Sequence, residues 1–378
     1  MAPPYSGNTA QPPTQYPSNS PYGPPGPAYG QPAPNSTNYS RPPQQSAPPG
    51  GPMHQGTHYG GNPYGGPSPG VSYTAQQANQ DAQALRSAMK GFGTDEKAII
   101  QIVSQRTPEQ IATLSQAYKA NYGKSLADAF RSETSGDFGY LLQGFAYPQI
   151  EFETKCIHES IAGLGTDEDA LIELLVGRTN SEMHSLKQCY RYMYNRDMER
   201  EIVSDTSRDF KRLLVALLQG GRDESQQIYD TSADVEALYR AGEKRLGTDE
   251  AVFISVICTR SNVHLIQVFN QYQAKYGKPI QKVIKSEFSG DIERGLLSVV
   301  GYIQNQYEWA ADQFENSMRG LGTRERKLSR MTLRYRHPSR MPHVKQAYQR
   351  KYGKSLYKRV HGETSGDYRA LLLACIGQ

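Results

Sequence analysis

One short pattern returns four times along this chain, in the same order and at nearly constant spacing, and that repetition constrains the fold more than any other feature. The blocks open with Met89-Lys90-Gly91-Phe92-Gly93-Thr94-Asp95-Glu96, Ile161-Ala162-Gly163-Leu164-Gly165-Thr166-Asp167-Glu168, Glu243-Lys244-Arg245-Leu246-Gly247-Thr248-Asp249-Glu250 and Met318-Arg319-Gly320-Leu321-Gly322-Thr323-Arg324-Glu325. They close with Glu133-Thr134-Ser135-Gly136-Asp137, Asp205-Thr206-Ser207-Arg208-Asp209, Glu287-Phe288-Ser289-Gly290-Asp291 and Glu363-Thr364-Ser365-Gly366-Asp367. Four copies in register exclude chance.

The period inside a block is helical. Ile99/Ile102/Val103, Leu171/Leu174/Leu175 and Phe253/Val256/Ile257 fall at i, i+3, i+4 and form one apolar stripe per block. Thr94, Thr166 and Thr248 stand before Asp-Glu and are expected to N-cap the helices that carry those stripes. Arg106-Thr107-Pro108 ends the first of them, with Pro108 opening the next, and Ser125 and Ser135 are expected to start two more. Each block thus holds about five short helices in roughly seventy residues, with no strand signal. The fold class is all-α.

Composition separates residues 1–76 from the rest. Up to Tyr73 the chain has no Lys, Asp or Glu, and Arg41 is its only strong charge, amid Pro, Gly, Tyr, Gln, Asn and Ser. Such a segment cannot offset its chain entropy by burial and is expected to be disordered. Its spaced tyrosines (Tyr5, Tyr16, Tyr22 and onward) suit weak multivalent contacts with tail-binding proteins or with a second copy, the alternative being an inert spacer. No signal peptide and no transmembrane run is expected. Cys156, Cys189, Cys258 and Cys375 form no C-x-x-C pair and read as free thiols of a reducing, cytoplasmic compartment.

The chemistry lies in the pairing of a Gly-x-Gly loop with a distant acid. Gly91 and Glu133, Gly163 and Asp205, and Arg245 (in the place of a first glycine) and Glu287 each lie 42 residues apart. Calcium takes six to eight oxygens, and a tight glycine turn can aim carbonyls outward. Three carbonyls and one bidentate carboxylate supply about five, leaving positions for water or a phosphoryl oxygen.

Gly-x-Gly-Thr-Asp-Glu with a distant acid, four times, resembles the annexin repeat, from about Asp81 to the C-terminus; the Pro/Gly/Tyr-rich tail is similar to those of the long-tailed annexins of the synexin kind. The resemblance implies a curved disc of four five-helix repeats (77–148, 149–220, 221–304 and 305–378) whose convex side binds Ca²⁺ and, through it, anionic phospholipid membranes. By position it implies Met89, Gly91, Gly93 and Glu133 as the first metal site, and Ile161, Gly163, Gly165 and Asp205 as the second. An extended third site follows at Gly242, Arg245, Gly247 and Glu287. The shorter Asp205 is expected to bind more weakly.

The fourth repeat departs from the pattern, as in some fungal annexins. Met318, Gly320, Gly322 and Glu363 occupy the site positions, but Arg324 replaces the aspartate and Glu363 comes one residue later. Residues 330–340 are basic where an apolar stripe is expected, which leaves both helix register and calcium binding open. At the loop tips Phe92, Leu164, Leu246 and Leu321, with Lys90, Lys244 and Arg319 beside them, are expected to touch lipid, the alternative being packing against a neighbouring loop.

Rival functions are weaker. Gly123-Lys124-Ser125 and Gly353-Lys354-Ser355 imitate the end of a P-loop, but Tyr118 and Tyr348 stand where its first glycine is required. No nucleophile or histidine recurs beside the acids, so no enzyme is expected. A tail-driven condensate or RNA-associated scaffold is the other alternative; without an RNA-binding signature, nucleic acid would be a secondary partner. Glu153 and Arg178 match the positions that line a polar channel in annexins, against the plainer reading of a structural ion pair. The expectation is a cytoplasmic protein, peripheral on membranes when calcium rises, with a bridging, vesicle-trafficking or scaffolding role.

Overall fold

The computed structural model describes residues 73–91 and 93–377. The expectations placed on the Pro/Gly/Tyr-rich segment and on Phe92 lie outside the described residues. The chain divides into two units, Met1–Ser68 and Pro69–Gln378, and the helices belong to the second.

Among the described residues there are twenty helices and no strand. The first five are α1 (Ala75–Ala88), α2 (Glu96–Ser104), α3 (Pro108–Tyr122), α4 (Leu126–Glu133) and α5 (Gly136–Ala146). The same order recurs in α6 (Gln149–Ile161), α7 (Glu168–Leu175), α8 (Asn180–Tyr194), α9 (Met198–Asp205) and α10 (Arg208–Leu218). After a helix-free stretch come α11 (Ser232–Ala241), α12 (Glu250–Thr259), α13 (Asn262–Tyr276), α14 (Ile280–Glu287) and α15 (Gly290–Gln304). The last set is α16 (Gln306–Met318), α17 (Glu325–Tyr335), α18 (Met341–Tyr352), α19 (Leu356–Glu363) and α20 (Gly366–Ile376).

Local signals explain the boundaries. Thr107 and Gln110 form a capping box around Pro108, and Gly123 ends α3 in the left-handed region at φ 69°. Gly123-Lys124-Ser125 is therefore a turn between two helices, with Ser125 capping α4. Ser135 precedes α5 but makes no side-chain cap bond, unlike the expectation. Of the apolar stripes, Ile99, Val103, Leu171, Leu175, Phe253 and Ile257 are almost wholly buried, while Ile102 is half-buried against the core.

The repeats pack in pairs. In the first and fourth, α5 lies against α17 and α2 against α20; in the second and third, α10 lies against α12 and α15. Close helix approach at both junctions requires glycine. A Cβ on Gly144 would come within 2.3 Å of Leu333 Cδ1, and one on Gly295 within 2.5 Å of Leu213 Cδ2. The larger side chains opposite fill the space that the missing methyl leaves.

The extra residue of the fourth repeat does not disturb its apolar stripe. Leu328, Met331 and Thr332 keep the i, i+3, i+4 places and are fully buried, with the Thr332 hydroxyl satisfied by the Leu328 carbonyl at 2.8 Å. The insertion is absorbed where α17 meets α18. There α17 runs to 11 residues against 9 in α2, and α18 shortens to 12 against 15 in α3.

Candidate calcium and membrane site

Each Gly-x-Gly loop begins at the end of one helix and is closed by one backbone bond to the start of the next. The amide of Asp95 donates to the Ala88 carbonyl at 2.9 Å, that of Asp167 to Ser160 at 2.8 Å, and those of Asp249 and Arg324 to Ala241 and Ser317 at 2.7 Å. The third closure spans one residue more than the others, which puts Gly242 level with Met89, Ile161 and Met318. Gly91 (φ 117°) and Gly93 (φ 85°) hold left-handed conformations that turn the chain back within the loop.

A second bond draws the distant acid to the loop. The hydroxyl of Thr94 donates to the Glu133 carbonyl at 3.2 Å, Thr166 to Asp205 at 3.0 Å, Thr248 to Glu287 at 3.3 Å and Thr323 to Glu363 at 3.1 Å. Thr166 also meets Asp205 Oδ2 at 2.5 Å, and Thr248 meets Glu287 Oε2 at 2.7 Å. This corrects the expected role of these threonines. The N-caps are the aspartates that follow, with Asp95 and Asp167 accepting from Ala98 and Ala170 at 3.0 and 2.9 Å. The hydroxyl, one residue too early for the cap, is free to cross to the other helix.

The first three loops fit a hard cation. Among the described residues no three His, Cys, Asp or Glu side chains converge, so a cation at a loop would depend on backbone carbonyls together with the one carboxylate. Glu133 and Asp205 are exposed and Glu287 is half-buried, each at the C-terminus of a helix. The helix dipole is negative there and favours a cation. The fourth loop differs: its acid, Glu363, is paired with Arg359.

The acid-bearing segments of the first and fourth repeats face one another. Glu96, Glu133 and Asp137 of the first repeat face Glu325, Glu363 and Asp367 of the fourth across a cleft of about 450 Å³. Asp169, just past the second loop, meets Arg324 of the fourth at 2.8 Å and Arg294 of the third at 3.3 Å. Arg324 thus gives up a cap and gains a tie between repeats. Leu164, Leu246 and Leu321 stand wholly exposed at the tips, so none packs against a neighbouring loop. Lys90, Lys244 and Arg319 are exposed beside them.

An arginine–acid pair read from the sequence in the second repeat alone recurs in two others. In three repeats an arginine twelve residues after the loop threonine reaches back to an acid on the repeat's first helix. Arg106 meets Asp81 at 2.7 Å, Arg178 meets Glu153 at 2.9 Å and Arg260 meets Asp234 at 2.8 Å. The recurrence of Arg at that offset was the available signal. Glu153 and Arg178 are nearly fully buried, as a structural ion pair. Burial raises the Glu153 pKa, but the guanidinium of Arg178 outweighs it and holds the carboxyl below its ordinary value. In the fourth repeat Ala310 replaces the acid, and the shifted Arg336 instead caps the Arg106 carbonyl at 2.9 Å and lies over the Phe145 ring. The basic run of that repeat is an interface: Arg330 forks onto Glu173 at 2.8 and 3.0 Å, and Arg334 donates to the Glu173 and Val176 carbonyls.

The annexin family model matches residues 80–144, 152–217, 233–299 and 309–375. The chain is 43% identical over 300 residues to annexin A11 of Homo sapiens, covering 79% of this chain and 59% of that protein. It therefore spans about three-fifths of the length of the A11 relatives it matches. Annexin A4 of Bos taurus is 42% identical over 302 residues, covering 79% and 94%. Among solved structures, annexin III superposes with TM-score 0.77 at 36% identity, covering 82% of this chain and 95% of that one. A calcium-bound annexin (Sm)1 superposes with TM-score 0.71 at 30% identity, covering 82% and 92%. With all four repeats matched in sequence and in fold, this chain belongs to the annexin family.

Proposed function

We propose that this chain attaches to anionic phospholipid when calcium fills the loops of its first three repeats. The observation that carries the reading is the threonine tie: in each repeat the residue that bears the distant acid is hydrogen-bonded to the threonine that directly follows the Gly-x-Gly turn. The proposed ligands are the carbonyls of Met89, Gly91 and Gly93 with Glu133, of Ile161, Gly163 and Gly165 with Asp205, and of Gly242, Arg245 and Gly247 with Glu287. Calcium bound there supplies open coordination positions for a phosphoryl oxygen.

The exposed tips add to the ion. Taking a leucine fully out of water is worth roughly 1.5–3 kcal/mol, and shallow insertion at a headgroup gives part of that. Each neighbouring Lys90, Lys244 or Arg319 adds about 1 kcal/mol near an anionic surface. Among the described residues no helix is long and apolar enough to cross a membrane. Residence in the cytoplasm, bridging of two membranes and a trafficking or scaffolding role extend the same proposal. Annexins are binding proteins.

The test is cosedimentation with phosphatidylserine vesicles across a calcium titration, beside phosphatidylcholine vesicles. The wild type should pellet with the anionic vesicles only when calcium is present. The triple variant Glu133→Gln, Asp205→Asn, Glu287→Gln should stay in the supernatant with its helical content intact. Pelleting of the triple variant at the wild-type calcium level would refute the site assignment.

A further inference from the structure

The fourth loop already holds a positive charge of the protein's own. Arg359 lies on α19, one turn before Glu363. Its Nη2 donates to the Met318 carbonyl at 2.5 Å, its Nη1 donates to Glu363 Oε1, and its Nε donates to Glu315 Oε2 at 3.3 Å. The Met318 carbonyl and the Glu363 carboxylate are the oxygens that stand where Met89 and Glu133 stand in the first repeat. The guanidinium therefore lies among the oxygens that a cation would need there.

No other repeat carries an arginine at this position. One turn before the acid, the first three repeats carry Ala129, Glu201 and Val283. The anchor at Glu315 is also peculiar to the fourth, where its counterparts are Arg86, His158 and Tyr239. Glu315 is itself fixed by the hydroxyl of the buried Tyr348. The Arg359 and Glu315 side chains are 18% and 14% exposed, so the group is held inside the repeat and does not sweep through solvent. Burial works against the guanidinium charge, but Glu315 and Glu363 outweigh it and raise the Arg359 pKa.

We propose that Arg359 is a tethered replacement for calcium, so that the fourth repeat keeps its loop closed at every calcium level and takes up no ion. A guanidinium offers only donors, whereas calcium accepts lone pairs from the same oxygens at about 2.3–2.6 Å. The two cations cannot share the Met318 and Glu363 oxygens, and each would repel the other at that distance. The calcium-independent fourth loop still presents Leu321 at its tip. The inference rests on the first three loops being calcium sites.

The test counts calcium ions bound per full-length chain on phosphatidylserine vesicles. Arg359→Ala and Arg359→Val install the residues that the first and third repeats carry at this position. Each should gain one ion per chain over the wild type, and adding Glu363→Gln to Arg359→Ala should abolish the gain. In the wild-type background, the triple substitution of Glu133, Asp205 and Glu287 should remove all bound calcium. Folded Arg359 variants that gain no ion would overturn the proposal. So would a triple variant whose residual calcium disappears on Glu363→Gln. A wild type that binds no calcium at all would instead sink the calcium reading of the first three loops, on which the proposal stands.

Discussion

The hydroxyl of Thr248 donates to Glu287 Oε2 at 2.7 Å across 39 residues of chain, so the third loop and its acid are joined before any ion arrives. The carboxylate is thereby oriented toward the loop, with a lone pair on Oε2 and the whole of the second oxygen left for a ligand. Thr248→Val keeps the shape and removes the donor. A hydrogen bond to a charged group contributes about 1.5–3 kcal/mol, and partial exposure places this one at the low end. The calcium needed for half-maximal vesicle binding should rise up to roughly tenfold, with helical content unchanged. An unshifted calcium midpoint would mean that the tie does not shape the site.

Leu246 is wholly exposed, and Trp309, the chain's single tryptophan, is buried with its Nε1 donating to Ser298 at 2.7 Å. Leu246→Trp should therefore give a blue-shifted, stronger emission when calcium and phosphatidylserine vesicles are added together, over a nearly constant Trp309 background. A spectrum that stays the same while the protein pellets would place this tip away from lipid.

The Glu153–Arg178 pair predicts an acid limit to stability. The folded carboxyl is held below its ordinary value, so its contribution is complete above the unfolded pKa of about 4.3 and is lost as pH falls through the lower folded value. Breaking a buried pair leaves an uncompensated charge, and Glu153→Gln should cost roughly 3–5 kcal/mol at neutral pH. Thermal melts from pH 7 to pH 3 should show a lower Tm for the variant and a shallower decline in acid. Parallel curves would show that this carboxyl does not set the acid limit.

Tyr73 belongs with the folded repeats: its hydroxyl donates to Asp81 at 2.6 Å and its ring lies under Arg106. A truncation that probes the preceding segment should therefore remove residues 2–72 and retain Tyr73. That segment has no carboxylate, so calcium-dependent attachment to one vesicle should be nearly unchanged. Its spaced tyrosines favour many weak contacts between facing membranes through effective concentration. Turbidity with vesicles should drop while cosedimentation does not. Equal turbidity from both chains would assign cross-bridging to the repeats themselves.

Helix order and the pairing of loop with acid are legible in the chain because each is written four times, three of them at one offset and the fourth one residue longer. Side-chain partners are not, because they depend on which helix faces which. Thr94 stands where a cap is expected, yet the aspartate after it has the better reach to the Ala98 amide, and the hydroxyl turns to Glu133. Residues 330–340 read as an eroded stripe because Thr332 takes the third place of the stripe and Arg330 and Arg334 flank it, yet Leu328 and Met331 keep the other two places while the arginines reach across to the second repeat. Arg359 sits in an ordinary-looking helix, and only the approach of α16 shows that its guanidinium reaches the Met318 carbonyl.

The 42 residues between Gly91 and Glu133 have a thermodynamic consequence. An unfolded chain keeps these groups far apart, so an ion bound at the proposed site would recognise only the native repeat, and every increment of its binding would also be an increment of folding free energy. At a free calcium level one hundred times its dissociation constant, a single loop would add about 2.7 kcal/mol of resistance to unfolding. With Arg359 in place of an ion, the fourth repeat would draw no such support from its surroundings, because its charge is carried in the chain. If the first three loops bind calcium and the fourth does not, withdrawing calcium would return the first three repeats to their intrinsic stability and leave the fourth unchanged, making it the part of the molecule least sensitive to the signal.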